Sequence, residues 1–299
     1  MIKNTLIRSF TTIRYQNQPI PLHYQFLQSS NVKVKDNLIV LHGLFGSHTN
    51  FRSIVKNDKI NSIVNSYCLD LRNHGLSQHK NTMSLTEMGE DLVYFLDKHN
   101  IYNAFLMGHS MGGRVILSAL RDHGKFLEER VKGIIICDIT NGNLLKERSA
   151  DVYQMWIMIN QLLDIDFKNK PKIKIQQEVK NLIENTQVAN FMNMNVVEDQ
   201  NGNFKWRMNL SAIKDFYMQN LGEDIKTENG WKKNVFIICG AKSHYINQEK
   251  IKEFYNIFPY LNEDKDVHFI KGAGHWLHAD KQVEFIEKVS DFLRKVQEN

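Results

Sequence analysis

The residue types best placed for chemistry lie around Ser110, which has one glycine two positions before it and another two positions after it. An apolar run over residues 104–107 leads into this turn, and apolar residues at helical spacing follow it. In a strand–turn–helix segment of this kind, the tight turn holds the serine hydroxyl above the end of a sheet, where it can attack a carbonyl carbon. The pattern therefore predicts a nucleophile at Ser110. The alternative interpretation is an ordinary Gly–Ser turn without a chemical role.

Attack on a carbonyl builds negative charge on its oxygen, and backbone N–H groups can stabilise that charge. The sequence predicts two such donors. One is the amide of Met111, directly after the serine, and the other is the amide of Leu44, in the loop after an apolar run that ends at Gly43. Both would act through the backbone, so their side chains are free to shape a substrate pocket. We interpret His42, in the same run, as a histidine that braces this loop.

A serine hydroxyl needs a general base within reach, and His275 is the predicted base. It lies in a glycine-containing loop between the last predicted strand and the C-terminal helix. The chain order serine, acid, histidine is also typical of a strand–turn–helix nucleophile. The chain has 12 histidines, and this loop position distinguishes His275 from the others. We expect His278 to begin the final helix and the side chain of His109 to point into the protein.

The carboxylate that would orient His275 is not in its customary place. It ordinarily follows the strand before the histidine strand, but residues 240–247 contain no acid. Asp138 ends the strand beside the nucleophile strand, and both strand ends open onto the same crevice. We therefore predict Asp138 as the acid and Ser243 as an additional hydrogen-bond partner. The alternative is that Asp138 only caps the inserted segment that follows it.

Seven apolar or alternating runs predict the strands that carry these residues, over 22–28, 37–43, 66–71, 104–107, 133–138, 235–239 and 266–270. Helical patterns separate them, and a capping box at Ser84 and Glu87 opens one of the helices. This alternation predicts a mostly parallel central sheet with helices on both faces. Residues 141–232 instead show helical patterns, over 151–163 and 175–193. They predict a helical cap inserted between two parts of an α/β core, residues 16–140 and 233–299.

Composition restricts the classes of partner. The net charge of +5 comes from 38 basic and 33 acidic residues, and the lysines are scattered, so we expect no nucleic-acid partner. No apolar run approaches the roughly 20 residues that a transmembrane helix needs. The three cysteines lie in predicted strands without metal-ligand spacing. This favours reduced core thiols, an intracellular compartment and a site without a metal.

The N-terminal segment, residues 1–15, has an unusual composition. It contains Lys3, Arg8 and Arg14, several hydroxyl residues and no acid, and the first carboxylate of the chain is Asp36. Such a composition is typical of a mitochondrial transit peptide. The alternative interpretation is a flexible basic tail before the first strand. We therefore expect a location in the mitochondrial matrix, with the cytoplasm as the alternative.

Taken together, several segments resemble one branch of the α/β-hydrolases: LHGLFGSHTNF, LDLRNHGLS, GHSMGG, CDIT and GAGHWLHAD. This branch includes alpha/beta hydrolase domain-containing protein 11 and related small bacterial esterases. The resemblance extends over about residues 40–293 and implies the α/β-hydrolase fold, with Ser110 as nucleophile and His275 as base. Bacterial members resemble this chain in an aspartate at the position of Asp138 and a serine near Ser243.

The resemblance also implies an activity without a cofactor: hydrolysis of carboxylic esters, thioesters or acylglycerol-like lipids. Because the animal protein is linked to the lipoylated 2-oxoacid dehydrogenases, it further implies association with a mitochondrial complex. We expect a serine hydrolase that cleaves esters or thioesters of hydrophobic acyl groups. The alternatives are a lyase, cofactor-free oxygen chemistry at the same serine, and a catalytically silent subunit of a mitochondrial assembly. Dehalogenase or epoxide hydrolase chemistry is disfavoured because those enzymes use a carboxylate where Ser110 stands.

Overall fold

The computed structural model describes residues 13–145, 149–220 and 222–298. Within these ranges the strands are β1 (Tyr24–Leu27), β2 (Asn37–Leu41), β3 (Asn65–Leu69), β4 (Ala104–His109), β5 (Val131–Cys137), β6 (Val196–Glu198), β7 (Phe204–Trp206), β8 (Asn234–Gly240) and β9 (Val267–Ile270). The helices are α1 (Arg52–Val55), α2 (Asp58–Asn61), α3 (Leu85–Lys98), α4 (Met111–Arg130), α5 (Ser149–Leu163), α6 (Lys172–Leu182), α7 (Thr186–Asn193), α8 (Leu210–Asn220), α9 (Gln248–Ile251), α10 (Glu263–Asp266), α11 (Leu277–Asp280) and α12 (Gln282–Glu298). Most of the segment with the transit-peptide composition lies outside the described residues.

Seven strands form one sheet in the order β1-β3-β2-β4-β5-β8-β9, and the edge strand β1 pairs antiparallel with β3. The other pairs are parallel. Alternate residues of β2 enter different hydrophobic cores, one shared with α3 and α4 and the other with α1, α2 and α12. Because helices cover both faces of the sheet, the central strands are continuous apolar runs in the sequence. The predicted α/β fold, a mostly parallel sheet with helices on both faces, is confirmed.

The segment between β5 and β8 contains the four helices α5 to α8 and a small hairpin of β6 and β7. The helical pattern predicted over 175–193 is divided in the structure, since Asn185 caps α7 by accepting hydrogen bonds from the amides of Gln187 and Val188. The hairpin strands have three residues each, too few for the sequence to show a strand period. Within the described residues, no helix combines the length and apolar character of a membrane span.

The predicted capping box at the start of α3 is only half formed. The hydroxyl of Ser84 accepts a hydrogen bond from the amide of Glu87 at 3.1 Å, as predicted. The Glu87 carboxylate, however, accepts from Arg72 Nη1 at 2.5 Å and from Thr82 Oγ1 at 2.7 Å. Arg72 is buried and also binds Asp91 on α3. A buried guanidinium requires carboxylate partners, and this requirement outweighs the return bond of the capping box.

Buried histidines hold the loops at the carboxyl end of the sheet. Nε2 of His42 accepts from the Leu71 amide at 3.0 Å, and its Nδ1 donates to the Gly43 carbonyl at 2.8 Å, which is the bracing role that the sequence predicts. His278 stacks on Phe51 with ring centroids 4.4 Å apart. Burial lowers the pKa of His278 to about 4. Burial also lowers the pKa values of His42, His74 and His109. The fold therefore requires these rings to be neutral.

Neutral buried histidines make stability depend on pH. The pKa of His278 is lower in the folded state than in the unfolded chain. The unfolded chain therefore binds more protons between about pH 4 and 6.5. As a result, the free energy of unfolding falls as the pH falls through this window. At pH 5 this histidine should cost about 2 kcal/mol relative to pH 7. The substitution His278→Phe should remove that part of the pH dependence, measured as the free energy of unfolding in urea. His244→Phe, at an exposed position, is the control. Equal pH dependence in wild type and His278→Phe would contradict this interpretation.

Candidate active site

Ser110 occupies a strained turn between β4 and α4. Its φ of 52° and ψ of −118° lie outside the regions that most residues adopt. The flanking glycines are required by close backbone contacts. A Cβ atom at Gly108 would lie 2.4 Å from the carbonyl oxygen of Gly112, and one at Gly112 would lie 2.5 Å from the carbonyl oxygen of Leu41. The turn thus holds the serine at the carboxyl end of the sheet, at the first turn of α4.

The structure brings the three predicted residues Ser110, His275 and Asp138 into one hydrogen-bonded chain. Nε2 of His275 lies 3.0 Å from the hydroxyl oxygen of Ser110, and Nδ1 lies 2.7 Å from Oδ2 of Asp138. The serine comes from the turn after β4, the aspartate follows β5, and the histidine lies in the loop after β9. With Nδ1–H donating to the carboxylate, Nε2 is left with a lone pair directed at the serine hydroxyl.

The carboxylate of Asp138 is fully buried, and further donors surround it. Oδ1 accepts from the amide of Gly240 at 2.7 Å, and the hydroxyl of Ser243 donates to Oδ2, the oxygen that also contacts His275. These donors replace the water that a buried carboxylate loses. Among the described residues, its partners lie in β8, in the loop after β8 and at His275, and not in the inserted segment. This geometry does not support the alternative in which Asp138 only caps that segment.

Two aromatic rings pack on the imidazole of His275. The centroid of the Tyr245 ring lies 4.1 Å away, and that of His109 lies 4.8 Å away. His109 is buried, as expected, and its Nε2 donates to the backbone carbonyl of His275 at 2.8 Å. Tyr245 is not among the residues predicted from the sequence. A local indication of its role is its position two residues after Ser243, because the hydroxyl of Ser243 accepts a hydrogen bond from the amide of Tyr245.

The predicted oxyanion donors, Leu44 and Met111, border the same cavity as Ser110 and His275. Met111 is the first residue of α4, so its amide is at the positive end of the helix dipole. Leu44 lies in a tight turn closed by a hydrogen bond of 3.0 Å from the Gly46 amide to the Gly43 carbonyl. A Cβ atom at Gly43 would lie 3.3 Å from that of Ser110, which shows how closely this turn approaches the serine.

The cavity above Ser110 has a volume of about 430 Å³ and a mostly apolar lining. Core and inserted segment both contribute apolar side chains to it, among them Leu44, Phe45, Ile139, Leu144, Met155, Val188, Phe191, Phe216 and Trp276. One charged group, Arg114, also borders it. This buried guanidinium donates to the carbonyls of Thr140, Gly142 and Glu223, and so joins α4 to both ends of the inserted segment. The arrangement favours a ligand with an apolar part near the serine.

Outside this cavity, one group of described residues has metal-ligand types: His23, His48 and Asp70, with candidate ligand atoms within 4.8 Å of one another. The Asp70 carboxylate already accepts three hydrogen bonds: from the amide of His48 at 2.6 Å, from Nδ1 of the His48 ring at 2.9 Å and from the amide of Leu76 at 2.8 Å. These bonds fix the loops after β2 and β3 against each other, which explains the cluster as structural.

Comparison with known proteins identifies the family of this chain. A family model described as alpha/beta hydrolase fold matches residues 36–282. The chain is 30% identical over 261 residues to the sn-1-specific diacylglycerol lipase ABHD11 of Xenopus laevis, covering 86% of this chain and 79% of the relative. It is 26% identical over 257 residues to Esterase YbfF of Escherichia coli, with coverages of 86% and 92%. A solved structure named Marine microorganism esterase has a TM-score of 0.79 and 29% identity, covering 91% of this chain and 99% of that one. The chain therefore belongs to the alpha/beta hydrolase fold family, among its esterase- and lipase-type hydrolases.

Proposed function

We propose that the protein hydrolyses carboxylic esters or thioesters of hydrophobic acyl groups through an acyl-enzyme on Ser110. The observation that carries this proposal is the continuous hydrogen-bonded chain from the Ser110 hydroxyl through His275 to the buried Asp138 carboxylate. These three hydrogen-bonded side chains lie beside an apolar cavity large enough for an acyl group. The arrangement supplies a nucleophile, a base and a group that orients the base.

In the first half-reaction, Nε2 of His275 accepts the hydroxyl proton of Ser110 while Oγ attacks the carbonyl carbon of the substrate. The resulting imidazolium is stabilised by the negative charge of Asp138. The oxyanion is held by the backbone N–H groups of Leu44 and Met111, each of which contributes about 3 kcal/mol to lowering the barrier. The proton on Nε2 then passes to the leaving alcohol or thiol, and the acyl group stays on Oγ of Ser110.

In the second half-reaction, water enters the site of the departed alcohol or thiol. His275 accepts a proton from this water, and the resulting hydroxide attacks the acyl carbon. The intermediate collapses when the same proton returns to Oγ of Ser110, which releases the carboxylic acid. One water is consumed for each ester or thioester bond broken, and no cofactor is needed.

The acyl group is proposed to be hydrophobic because apolar side chains dominate the lining near Ser110. One relative is named as a diacylglycerol lipase, and this name supports a lipid ester as substrate. The location in the mitochondrial matrix and the association with a mitochondrial complex stay predictions from the N-terminal composition and the resemblance. Import of a fluorescent fusion with and without residues 1–15 would test the location.

Replacing the nucleophile tests the proposal most simply. Ser110→Ala should lower the esterase turnover number by at least about three orders of magnitude, because it removes the hydroxyl proposed to form the acyl-enzyme. It should also abolish covalent labelling by a fluorophosphonate, measured by intact-protein mass spectrometry. Ser53→Ala, at an exposed serine, should behave as wild type. Failure of the wild-type protein to react would instead support the catalytically silent alternative.

The unusual position of the acid gives a second prediction. Asp138→Asn should lower the turnover number by about four orders of magnitude because His275 loses the charge that stabilises its imidazolium. Ser243→Ala should cost about ten- to a hundredfold, since it removes one hydrogen bond to a charged group.

A relocated acid provides the control for this prediction. Because the Ser243 hydroxyl contacts the same oxygen as His275, a carboxylate at this position can also reach Nδ1. The double substitution Asp138→Asn with Ser243→Asp should therefore recover about tenfold or more of the lost activity. Wild-type turnover in Asp138→Asn alone would show that another group orients the histidine.

The cavity lining predicts how acyl preference can be changed. Val188 lies on α7 and borders the cavity. Val188→Trp should lower kcat/KM for an octanoyl ester by about tenfold relative to an acetyl ester, because the larger side chain fills space that the longer acyl chain requires. Val283→Trp, at an exposed position on α12, is the matched control. An equal loss for both esters would place the acyl group elsewhere.

A further inference from the structure

A second depression, which we call the cap groove, lies on the inserted segment and has a volume of about 440 Å³. It is lined by residues of α6, α7 and β6 together with Met194 and Arg207. Its charged residues are Lys172, Lys180 and Arg207, and no acid contributes to the lining. Within the described part of the chain, none of these three cations lies within salt-bridge distance of a carboxylate. The groove therefore presents uncompensated positive charge.

The charge extends along the chain beside the groove. Residues 167–183 contain five lysines and one acid, Glu178, and the exposed acids Asp164, Asp166 and Glu184 flank this stretch. That acid is paired with Lys170 at 2.8 Å. The remaining lysines of this stretch, which are Lys168, Lys172, Lys174 and Lys180, are exposed. The excess of positive charge therefore lies in the lining of the groove, which has three cations and no acid, and it favours an anionic partner.

Two large apolar side chains stand among these cations. Ile173 is 69% exposed and Met194 is 58% exposed, and both border the groove. Single exposed apolar residues are common on protein surfaces. Exposed apolar side chains flanked by lysines are instead typical of surfaces that rest in the interface of an anionic membrane, where the lysines meet phosphate groups and the apolar groups enter the acyl boundary.

Helix α7 connects this surface with the active site. Asn185, at its N-cap, and Val188 and Phe191 border the cavity above Ser110. Asn190 and Asn193 on another side of the same helix border the cap groove. A single helix of eight residues thus separates the basic surface from the acyl cavity. A lipid surface on the groove would lie one helix away from the space proposed for the acyl group.

We propose that the cap groove and its lysines form a docking surface for an anionic phospholipid bilayer. The lysines of α6 contact lipid phosphates, and Ile173 and Met194 enter the interface. This inference rests on the proposed function in one respect: it identifies the substrate as an acyl ester that resides in a membrane. A polyanion such as RNA would also be attracted by the positive charge, but it would gain nothing from the two exposed apolar side chains. The combination therefore favours a membrane.

Vesicle co-sedimentation of the full chain tests docking without any need for turnover. Wild-type protein and Ser110→Ala should both bind to vesicles of phosphatidylcholine with roughly one-third phosphatidylglycerol. Both should bind much less to vesicles of phosphatidylcholine alone. Lys172→Gln with Lys180→Gln should weaken binding by about twenty-five-fold, since each lysine at an anionic surface contributes roughly fivefold. Ile173→Ser should weaken it by about fivefold through loss of apolar burial.

The loop before β2 provides a matched control, because Val32 is 83% exposed and lies beside the exposed Lys33 and Lys35. Lys33→Gln with Lys35→Gln, and Val32→Ser, should leave vesicle binding unchanged. The basic N-terminal segment is present in every variant, so differences among variants report the groove. Equal losses in the control and groove variants would overturn the proposal. So would binding to a single-stranded RNA without binding to anionic vesicles, or displacement from vesicles by millimolar glycerol 3-phosphate.

Activity measurements separate this inference from the proposed function. The groove variants should retain wild-type kcat/KM on a water-soluble ester and lose about tenfold or more on an ester presented in anionic vesicles. Activity on neither ester, with vesicle binding intact, would contradict the proposed function and leave the docking surface standing. Equal activity of wild type and groove variants on the vesicle ester would contradict docking and leave the esterase proposal standing.

Discussion

The buried carboxylate of Asp138 is the constraint on which the rest of the site depends. A charge without solvent requires hydrogen-bond donors on every side, and here they are the Gly240 amide, the Ser243 hydroxyl and Nδ1 of His275. Because one of these donors is the imidazole, satisfying the charge also orients the ring and leaves Nε2 directed at Ser110. The stability of the core and the geometry of the proposed reaction thus rely on the same contacts.

The sheet order explains how an acid after β5 can serve a histidine after β9. Strand β8 lies between β5 and β9, and the amide of Asp138 donates to the Ile238 carbonyl of β8 at 2.9 Å. The carboxylate therefore reaches across the end of β8, where an acid would ordinarily stand, and Ser243 occupies that loop with a hydroxyl instead. The carboxylate thus follows β5, and the hydroxyl of Ser243 stands in the loop after β8 that would ordinarily hold the carboxylate. The distance to the imidazole is nevertheless that of a direct hydrogen bond.

Structure could be predicted from the sequence where a local rule governs it, and could not be predicted where contacts with residues outside the local segment decide it. The strand–turn–helix around Ser110 is set by glycines and an apolar run, so its form could be predicted. The half-formed capping box could not, because Arg72, distant in sequence, binds Glu87. Arg114 and Tyr245 were missed for the same reason, since their contacts with the inserted segment and with His275 exist only after folding. The hairpin of β6 and β7 is too short for its pattern to be recognised.

We propose that Ser110 carries the acyl group during turnover, and that His275 and Asp138 orient and activate the serine. The most direct measurement is rapid-quench mass spectrometry of the intact protein during turnover of an activated octanoyl ester, followed by peptide mapping. If Ser110 carries the acyl group, we expect a transient mass increase equal to one octanoyl group, located on the peptide that contains Ser110. Turnover without such an adduct, or an adduct on another residue, would contradict it.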